Sequence, residues 1–574
     1  MKPAFYLYSF LFLIPISFLF SQNLAEEYIA EWKAFHPSQA VQKGIHGSIL
    51  NTEERSQKSV GQWVAFNEDV LKKLSKPTTE INTVDARLLR VQAQSELDQY
   101  RARSLHTTSL NLYARLIKNT LPQVLKADYL LLSEKKDLLC QRLLAIQQWA
   151  VQAEQNLQTV SKEDLDGGFK ALEDTMDYLK LGLRAALQKQ GIGAPCADFD
   201  VQVQRTITKI KGLKVVADQK RKPFATPPNG VLGPQEYARR LALYTDSDLT
   251  PDQLAAMALA EIDSVKNLMA SVSRSYLRET YPAHVLPKNS SELIQKALVD
   301  MEKDAPLNAA DYLAFWEDLA AEAVDFIQEK NLATLPKNKT LHIKTAPESA
   351  GPSARIGWVA SAPPFAPNPM TTLYLPSIPD TLPRQEQVDF WASFNKPFNR
   401  IIVIHELYPG HYMQLKVARE TPHALRLLFP YQPYIEGWAT FTEKVLLDAG
   451  WESGHHLTLL AHLRKRLENA NRAYTSIQVH CHGWNEKKVM QFSTETSLLA
   501  PQFAKSLWGR IMGSPLQLTS YYWGGAQFKS LLKSEKERLG PSFDLKFFMD
   551  TIMKAGPIPI DAFHTIFQNG QPNP

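Results

Sequence analysis

A proline–glycine pair after an apolar, helix-like run constrains how this chain can fold. Residues 405–411 read His-Glu-Leu-Tyr-Pro-Gly-His and follow four consecutive aliphatic residues. On an unbroken helix, two histidines six residues apart would be rotated by roughly 240° and would face different sides. Pro409 has no N–H, and its ring would collide with the carbonyl oxygen of His405. Because Gly410 tolerates unusual backbone angles, we predict a helix ending near Tyr408, a bulge at the Pro-Gly pair, and a second helix that brings the two imidazole rings together.

The residues that such a bulge would gather suit a zinc ion. Zinc is well served by imidazole nitrogen and carboxylate oxygen, and a catalytic site typically has three protein ligands and one position for water. His405 and His411 would supply two nitrogens, and the downstream Glu436 offers a carboxylate. The same residues could instead form a helix–turn–helix corner with buried structural histidines, and the spacing leaves that alternative open.

Two strings in this region resemble a known family. The pattern His-Glu-x-x-Pro-Gly-His-x-x-Gln over residues 405–414, followed by Glu-Gly-Trp-Ala over residues 436–439, looks like the bacterial family catalogued as domain of unknown function 885. That family is grouped with zinc metallopeptidases of the gluzincin type, in which a downstream glutamate is the third ligand. The resemblance extends weakly over nearly the whole mature chain and is strong in residues 405–443 and 472–524.

The resemblance implies roles for individual residues. His405, His411 and Glu436 would bind one zinc ion, Zn2+, and Glu406 would be the general base that activates water. Glu443 matches a recurrent family glutamate. It lies seven residues after Glu436 and hence on the same helical face, where it could orient the ligands from behind.

Two residues of the second block are candidates for stabilising the oxyanion that forms during amide hydrolysis. Tyr521 lies in a segment that resembles the family's Arg…Pro-Gly-Gln…Tyr…Gly, although Leu516 replaces the usual glycine. His480 matches a family histidine that precedes Gly-Trp, although Ser476 stands where the family has aspartate. Each candidate could instead be structural, and Tyr522 is the nearest rival of Tyr521.

The N-terminus has the pattern of a secretory signal peptide. Residues 1–22 begin with one lysine and continue as a short apolar run that ends in Ser21-Gln22. We predict a signal peptide at residues 1–21 and an exported protein, periplasmic or extracellular, with an uncleaved anchor as the alternative. No cysteine stands at the cleavage site, which argues against a bacterial lipoprotein. No second run approaches the length of a membrane span, so we expect no stable membrane insertion after cleavage.

Charge and cysteine content limit the classes of partner. The net charge of +5 is spread along the chain without a long basic run, so we expect no nucleic-acid binding. A peptide substrate is the expected partner, and the oligomeric state stays open. With three cysteines, one disulfide is possible, most plausibly Cys140–Cys196, and three buried thiols are the alternative.

Length and periodicity predict a mainly α-helical protein. With 574 residues the chain is too long for one small core. Apolar residues recur at three- and four-residue intervals through long stretches, which is typical of amphipathic helices. We predict a large, two-lobed helical body around a cleft, with a small β-sheet beside the zinc-binding helices. An N-terminal helical lobe would cover residues 22–220 and a C-terminal zinc-binding catalytic lobe residues 235–574, separated by a stretch rich in proline and glycine.

Three short β-rich runs precede the zinc-binding block, at residues 341–345, 357–360 and 371–375. We predict a small sheet in which residues 357–361 form an edge strand, because an extended peptide could add to such an edge through main-chain hydrogen bonds. A second group of histidines, His455, His456 and His462, has no acidic residue at matching spacing. We expect this group at the surface or at a helix cap.

The residues and the resemblance together predict an exported zinc metallopeptidase that hydrolyses short peptides with Glu406 as general base. A zinc hydrolase of a non-peptide amide or of cell-wall peptide would use the same four residues. A non-catalytic peptide-binding relative is the third alternative. The sequence does not distinguish endo-cleavage from exo-cleavage.

Overall fold

The computed structural model describes residues 16–76, 84–222, 230–499 and 501–569. The described residues are mainly α-helical with one small sheet, as predicted. The chain divides into two compact units, residues 1–224 and 225–574. The first fifteen residues of the predicted signal peptide and residues 223–229 of the predicted boundary segment lie outside the described residues.

The first unit is built from helices alone. Its helices are α1 (Ile16–Phe35), α2 (Pro37–Gln42), α3 (Gln57–Leu74), α4 (Val84–Leu97), α5 (Leu105–Thr108), α6 (Leu110–Lys126), α7 (Leu132–Asn156), α8 (Lys162–Asp177), α9 (Leu183–Lys189) and α10 (Phe199–Gln219), with short 3-10 or π-helical turns at His46–Leu50, Asp98–Ala102 and Tyr178–Gly182. In α6 the buried residues Tyr113, Ile117, Leu121 and Val124 recur every three or four positions and form one apolar face. That face packs against α7 and α8, and α7 packs in turn against α10.

A disulfide cross-links the first unit. Cys140 of α7 is bonded to Cys196, which precedes α10, and the bridge encloses α8 and α9. Cys481 is free. The structure therefore contains the predicted pair, and such a cross-link is typical of proteins that fold in an oxidising compartment.

The second unit contains the longest helices. Its helices are α11 (Pro234–Thr245), α12 (Pro251–Thr280), α13 (Ser290–Lys303), α14 (Ala309–Glu329), α15 (Arg384–Ala392), α16 (Lys396–Glu406), α17 (His411–Ala418), α18 (Ala424–Leu428), α19 (Gln432–Asp448), α20 (His456–His482), α21 (Glu486–Gln491), α22 (Pro501–Gly513), α23 (Gln517–Leu539), α24 (Leu545–Ala555) and α25 (Ala562–Asn569), with short 3-10 or π-helical turns at Glu348–Arg355, Phe492–Thr496 and Gly540–Ser542. Helix α12 packs along α20, and α19 packs along α23. Helix α16 contacts both α19 and α20, so these helices hold the segment around the broken helix.

The sheet of the second unit has three strands in the order β1-β3-β2, namely β1 (Leu341–Thr345), β2 (Trp358–Ala360) and β3 (Thr371–Leu375). Strand β1 runs parallel to β3, and β2 runs antiparallel to it. Strand β2 is therefore an edge strand, as predicted. The Lys416 ammonium of α17 donates hydrogen bonds to the Pro369 carbonyl before β3 and to the Asn338 side chain before β1. These bonds place the sheet beside the helix that begins at His411.

Within the part of the chain that the structure describes, every helix is too short or too polar to span a bilayer.

Candidate metal centre

A widened turn joins α16 to α17. Helix α16 ends at Glu406, two residues before the predicted end at Tyr408, and α17 begins at His411. The Tyr408–Pro409 peptide is cis. The hydrogen bond from the Gly410 N–H reaches back six residues to the Ile404 carbonyl, instead of the usual four, with an N···O distance of 2.9 Å. The turn thus absorbs two additional residues.

The widened turn brings both histidines to one side of the broken helix. The ring centroids of His405 and His411 are 4.9 Å apart. A side chain at Gly410 could not fit, because its Cβ would lie 1.9 Å from the His405 carbonyl oxygen. The predicted bulge is therefore present, and the glycine is needed for the close approach of the backbone to itself.

Three potential ligand atoms converge at this turn. The Nε2 atom of His411 is 3.3 Å from Glu436 Oε2, and His405 Nε2 is 3.8 Å from the same oxygen. One ligand atom from each of the three residues lies within 4.8 Å of the others. Ligand atoms bound to a tetrahedral zinc ion lie about 3.4 Å apart, given zinc–ligand distances of about 2.1 Å. The donor set and its spacing therefore fit zinc.

The exposure of the cluster increases from one side to the other. The side chains of His405, His411, Glu436 and Glu406 are 3%, 14%, 19% and 28% exposed, respectively. Glu406, the predicted base, is thus the most accessible of the four. Its Oε1 atom lies 4.0 Å from His405 Nε2. Solvent therefore reaches the cluster from the Glu406 side, while His405 on the other side is buried.

A buried carboxylate fixes the orientation of His405. Glu443 has no exposed surface, and its Oε1 accepts a hydrogen bond from His405 Nδ1 at 2.9 Å. With its proton on Nδ1, the imidazole keeps a lone pair on Nε2 that faces the cluster. The other oxygen of Glu443 lies 3.1 Å from His462 Nδ1, and the Lys465 ammonium lies 3.5 Å from Oε1. Glu443 thus lies behind the ligand His405, at the position predicted for it.

The pKa shifts of His405 and Glu436 favour the protonation states that bind a metal, whereas the shift of His411 favours its protonated form. Burial lowers the pKa of His405, with the Lys465 charge adding to this, so the ring is neutral at pH 7. Burial alone would raise the pKa of Glu436, but contacts with His411 and His405 outweigh it and lower the pKa to about 2. Burial opposes the charge on His411, yet the Glu436 carboxylate prevails and raises the pKa of His411. Zinc would take the place of that proton.

A polar stripe on α20, which sequence reasoning missed, supports the centre. The stripe consists of His462, Lys465, Asn469 and Arg472, spaced so that all four lie on one helical face. The prediction that His462 lies at the surface is wrong, since the residue is 1% exposed and contacts Glu443. His455, by contrast, caps α20 and His456 is its first residue. The spacing of these four polar residues, at intervals of three or four along the helix, was the available signal.

A second group of side chains extends from Glu436 along α23 to α22. The Gln517 amide donates to Glu436 Oε1 at 3.2 Å and to the Tyr521 hydroxyl at 3.0 Å. The Arg510 guanidinium donates to the same hydroxyl at 3.3 Å. Tyr522 points elsewhere and donates to the Met257 carbonyl. Of the two rival tyrosines, the structure therefore brings Tyr521 to the cluster.

His480 occupies a different environment. Its Nδ1 accepts a hydrogen bond from the Leu232 N–H at 3.2 Å, and its Nε2 donates to the Ile511 carbonyl at 3.1 Å. The ring also stacks on Tyr237. Both nitrogens of His480 are thus engaged by main-chain groups, and the ring links three segments of the second unit.

The distance between α19 and α23 is set by two glycines. A Cβ atom on Gly437 would lie 2.5 Å from the Gly524 Cα atom, and a Cβ on Gly524 would lie 1.9 Å from the Pro433 carbonyl oxygen. The two backbones are therefore in direct contact. This contact places Gln517 and Tyr521 of α23 within hydrogen-bonding reach of Glu436 on α19.

These features define a mainly α-helical protein with a candidate metal centre at a broken helix. The chain belongs to the family described as "Bacterial protein of unknown function (DUF885)", whose model matches residues 37–565. The match includes every residue of the centre. No curated protein matches the chain.

Two solved structures share the fold. One, described as a candidate lipoprotein of unknown function from Shewanella oneidensis, has a TM-score of 0.82 and 20% identity over 96% of this chain and 100% of that chain. The other, described as a candidate lipoprotein from Colwellia psychrerythraea, has a TM-score of 0.68 and 16% identity over 96% of this chain and 99% of that chain. At these identities the likeness concerns the fold alone.

Proposed function

We propose that this protein is an exported zinc-dependent peptidase that hydrolyses peptide bonds in short peptides. One observation carries the proposal: the ligand atoms of His405, His411 and Glu436 converge within 4.8 Å, beside an accessible Glu406. Glu443 supports the proposal because it holds His405 in the tautomer that a metal ligand needs. The gluzincin-type resemblance in the sequence points to the same chemistry.

Each residue of the centre has a distinct task in hydrolysis. When bound, zinc would lower the pKa of water toward neutrality and polarise the scissile carbonyl. Glu406 removes a proton from the attacking water, whose oxygen forms the new bond to the carbonyl carbon. Glu406 then delivers that proton to the departing amine nitrogen as the C–N bond breaks. We assign stabilisation of the oxyanion to the Tyr521 hydroxyl. Gln517 donates hydrogen bonds both to this hydroxyl and to Glu436, and so links the two.

The sheet next to α17 supports a peptide as the substrate. Strand β2 is an edge strand, and an extended peptide can pair with such an edge through main-chain hydrogen bonds. The hydrogen bonds of Lys416 connect this sheet to the helix that carries His411.

Two further observations support export. The N-terminal residues have the pattern of a signal peptide. The two solved structures named above are described as candidate lipoproteins. The three cysteines of this chain lie at positions 140, 196 and 481, so we propose export without a lipid on an N-terminal cysteine.

The Glu406→Gln variant tests the function. We expect zinc-loaded wild-type protein to cleave members of a mixed short-peptide library, and kcat/KM to fall about 10²- to 10⁴-fold in the variant with unchanged zinc content. Glu386→Gln, at an exposed carboxylate of α15, is the matched control and should retain full activity.

Full activity in zinc-loaded Glu406→Gln would contradict the proposed role of this residue. A wild-type protein that holds zinc and cleaves no peptide would contradict the peptidase itself. Parallel assays with non-peptide amides and cell-wall peptides would then separate another zinc hydrolase from a non-catalytic peptide-binding relative.

A further inference from the structure

Arg510 carries a charge that no carboxylate balances. Its guanidinium contacts the Tyr521 hydroxyl at 3.3 Å and the Gln517 side-chain oxygen at 3.4 Å, both of which are neutral groups. Among the described residues, no carboxylate oxygen lies within 4.0 Å of Arg510. Two other partly buried arginines of the unit are paired with carboxylates: Arg466 holds Glu261 at 2.6 Å, and Arg400 holds Glu452 at 2.7 Å.

The unpaired charge lies next to the candidate centre. Tyr521 and Gln517 are the only side chains, among those described, that Arg510 contacts by hydrogen bonds, and Gln517 also donates to Glu436. Arg472 approaches the other side of this group, with its guanidinium carbon 5.0 Å from the centre of the Tyr521 ring. Arg472 is partly balanced by Glu468 at 3.6 Å. The excess positive charge at Tyr521 therefore comes from Arg510.

We propose that Arg510 binds the free α-carboxylate of the substrate, so that cleavage takes place near the carboxyl end of a peptide. This inference rests on the proposed peptidase function for the identity of the scissile bond. A guanidinium is planar and can bind a carboxylate through two parallel hydrogen bonds. Its unpaired state is what a site for an anionic ligand requires.

The position of Arg510 favours a carboxylate over the oxyanion of the reacting carbonyl. Gln517 bonds Glu436 directly, and Arg510 reaches this group through its contacts with Gln517 and the Tyr521 hydroxyl, so Arg510 lies one hydrogen-bonded layer farther from Glu436 than Gln517 does. Successive Cα atoms in a peptide are about 3.8 Å apart. A carboxylate one or two residues beyond the scissile bond therefore lies roughly 4–7 Å from that bond, which is one to two hydrogen-bond lengths of about 3 Å.

Binding measurements test the carboxylate site without relying on turnover. The probe is a library of N-acetylated tripeptides, each made as the free acid and as the C-terminal amide, added to zinc-loaded Glu406→Gln protein so that the peptides stay intact. We expect the free acids to bind about 10- to 100-fold more tightly than the amides. In the same background, Arg510→Gln should remove this preference, and Arg510→Lys should restore part of it.

Arg239→Gln is the matched control, because Arg239 is an exposed arginine whose partner Glu236 also pairs with Arg240. This control should keep the full preference for free acids. If Arg510→Gln does not fold, two other results test the inference. One is the binding of free acids against amides by protein that keeps Arg510, and the other is the same comparison in Arg510→Lys. Equal binding of acids and amides, binding of neither, or an undiminished preference in folded Arg510→Gln would overturn the inference.

Turnover by wild-type protein separates this inference from the proposed function. Preferential binding of free acids without any hydrolysis would keep the carboxylate site and reject the peptidase. Hydrolysis of acids and amides at equal kcat/KM, with equal binding, would keep the peptidase and reject the carboxylate site.

Discussion

Each unit of the molecule contains a buried histidine–glutamate pair, and the two pairs differ in the groups that surround the second ring nitrogen of the histidine. In the first unit, His36 Nε2 lies 3.0 Å from Glu96 Oε2, and both residues are buried. In the second unit, His405 Nδ1 lies 2.9 Å from Glu443 Oε1, and both residues are again buried. Burial and a carboxylate partner therefore do not distinguish a structural histidine from a histidine at a candidate metal centre.

The difference lies in the second ring nitrogen. Nδ1 of His36 accepts hydrogen bonds from Arg55 at 3.4 Å and Gln39 at 3.3 Å, so its lone pair is already engaged. Nε2 of His405 faces the carboxylate oxygens of Glu436 and Glu406 at 3.8 and 4.0 Å. An ionised carboxylate is only an acceptor, so this lone pair and these oxygens form a set of acceptors that a cation would satisfy. The groups around the ring nitrogen that does not contact the buried glutamate therefore indicate whether such a histidine is structural or a candidate ligand.

The largest expected effect is on zinc content. We expect about one zinc ion per chain in wild-type protein and none in His411→Ala, because a three-ligand site loses one of its ligands. His36→Ala, the matched variant of the first unit, should keep its zinc. Elemental analysis of folded, purified proteins measures both. A wild-type protein that takes up no zinc, even after refolding with the metal, would remove the distinction between the two pairs.

The next effect separates the two units by their stability. Replacing Cys140 and Cys196 by serine opens a cross-link with a sequence separation of 56 residues. Loop-closure entropy predicts a loss of about 4 kcal/mol from the stability of the first unit. Hydrogen exchange of α7 and α10 peptides measures this loss, and the zinc affinity of the second unit should stay unchanged. Equal exchange in the oxidised protein and the variant would show that the bridge does not restrain this unit.

A smaller effect is expected for the two glutamates. Glu443→Gln should weaken zinc affinity about 10- to 100-fold, because the amide replaces the charged acceptor of His405 by a weaker, neutral one. Glu96→Gln should leave zinc affinity unchanged and accelerate hydrogen exchange only in the first unit. Competition with a zinc chelator gives both affinities. An unchanged affinity in Glu443→Gln would mean that the buried pair near the centre is as structural as the pair in the first unit.

The smallest effect is a pH dependence of the first unit. Burial opposes the charge on Glu96, but His36, Trp63 and Arg55 outweigh it and lower the pKa of Glu96 below its ordinary value of 4.5. The stabilisation is therefore complete above pH 4.5 and is lost as the pH falls through the lower, folded-state pKa. The difference in exchange between wild type and Glu96→Gln, measured in α3 and α4, should shrink in that acidic window. A constant difference would contradict the assigned protonation state.

Much of the fold followed from local sequence signals. The three strands lie where β-rich runs predicted them, and β1 and β3 match the predicted bounds. The start of α12 has a capping box, with Thr250 and Gln253 bonded to each other's main chain, and Thr-x-x-Gln before an apolar run is the local sequence pattern of such a box. The two histidine ligands were also local, because a proline and a glycine between them favour one kind of turn. Each of these signals depends on neighbours in sequence.

The rest of the site depends on contacts between distant segments. His462 was expected at the surface because its partner, Glu443, lies on another helix and at no diagnostic spacing. His480 has the sequence surroundings of a site residue, yet its nitrogens bond to Leu232 and Ile511. Which face of a buried helix meets which neighbour is decided by packing, and a single sequence carries little information about it.

The glycine contact between α19 and α23 has a consequence for mutational tolerance. Gly437 and Gly524 hold no proton, metal or substrate, yet any larger side chain at either position would push apart the two helices that carry Glu436 and Tyr521. A screen that scores every substitution by zinc content would therefore rank these two positions with the proposed metal ligands. The tightest structural requirement of the centre is the distance between the backbones of α19 and α23, and a survey of reactive side chains would not include it.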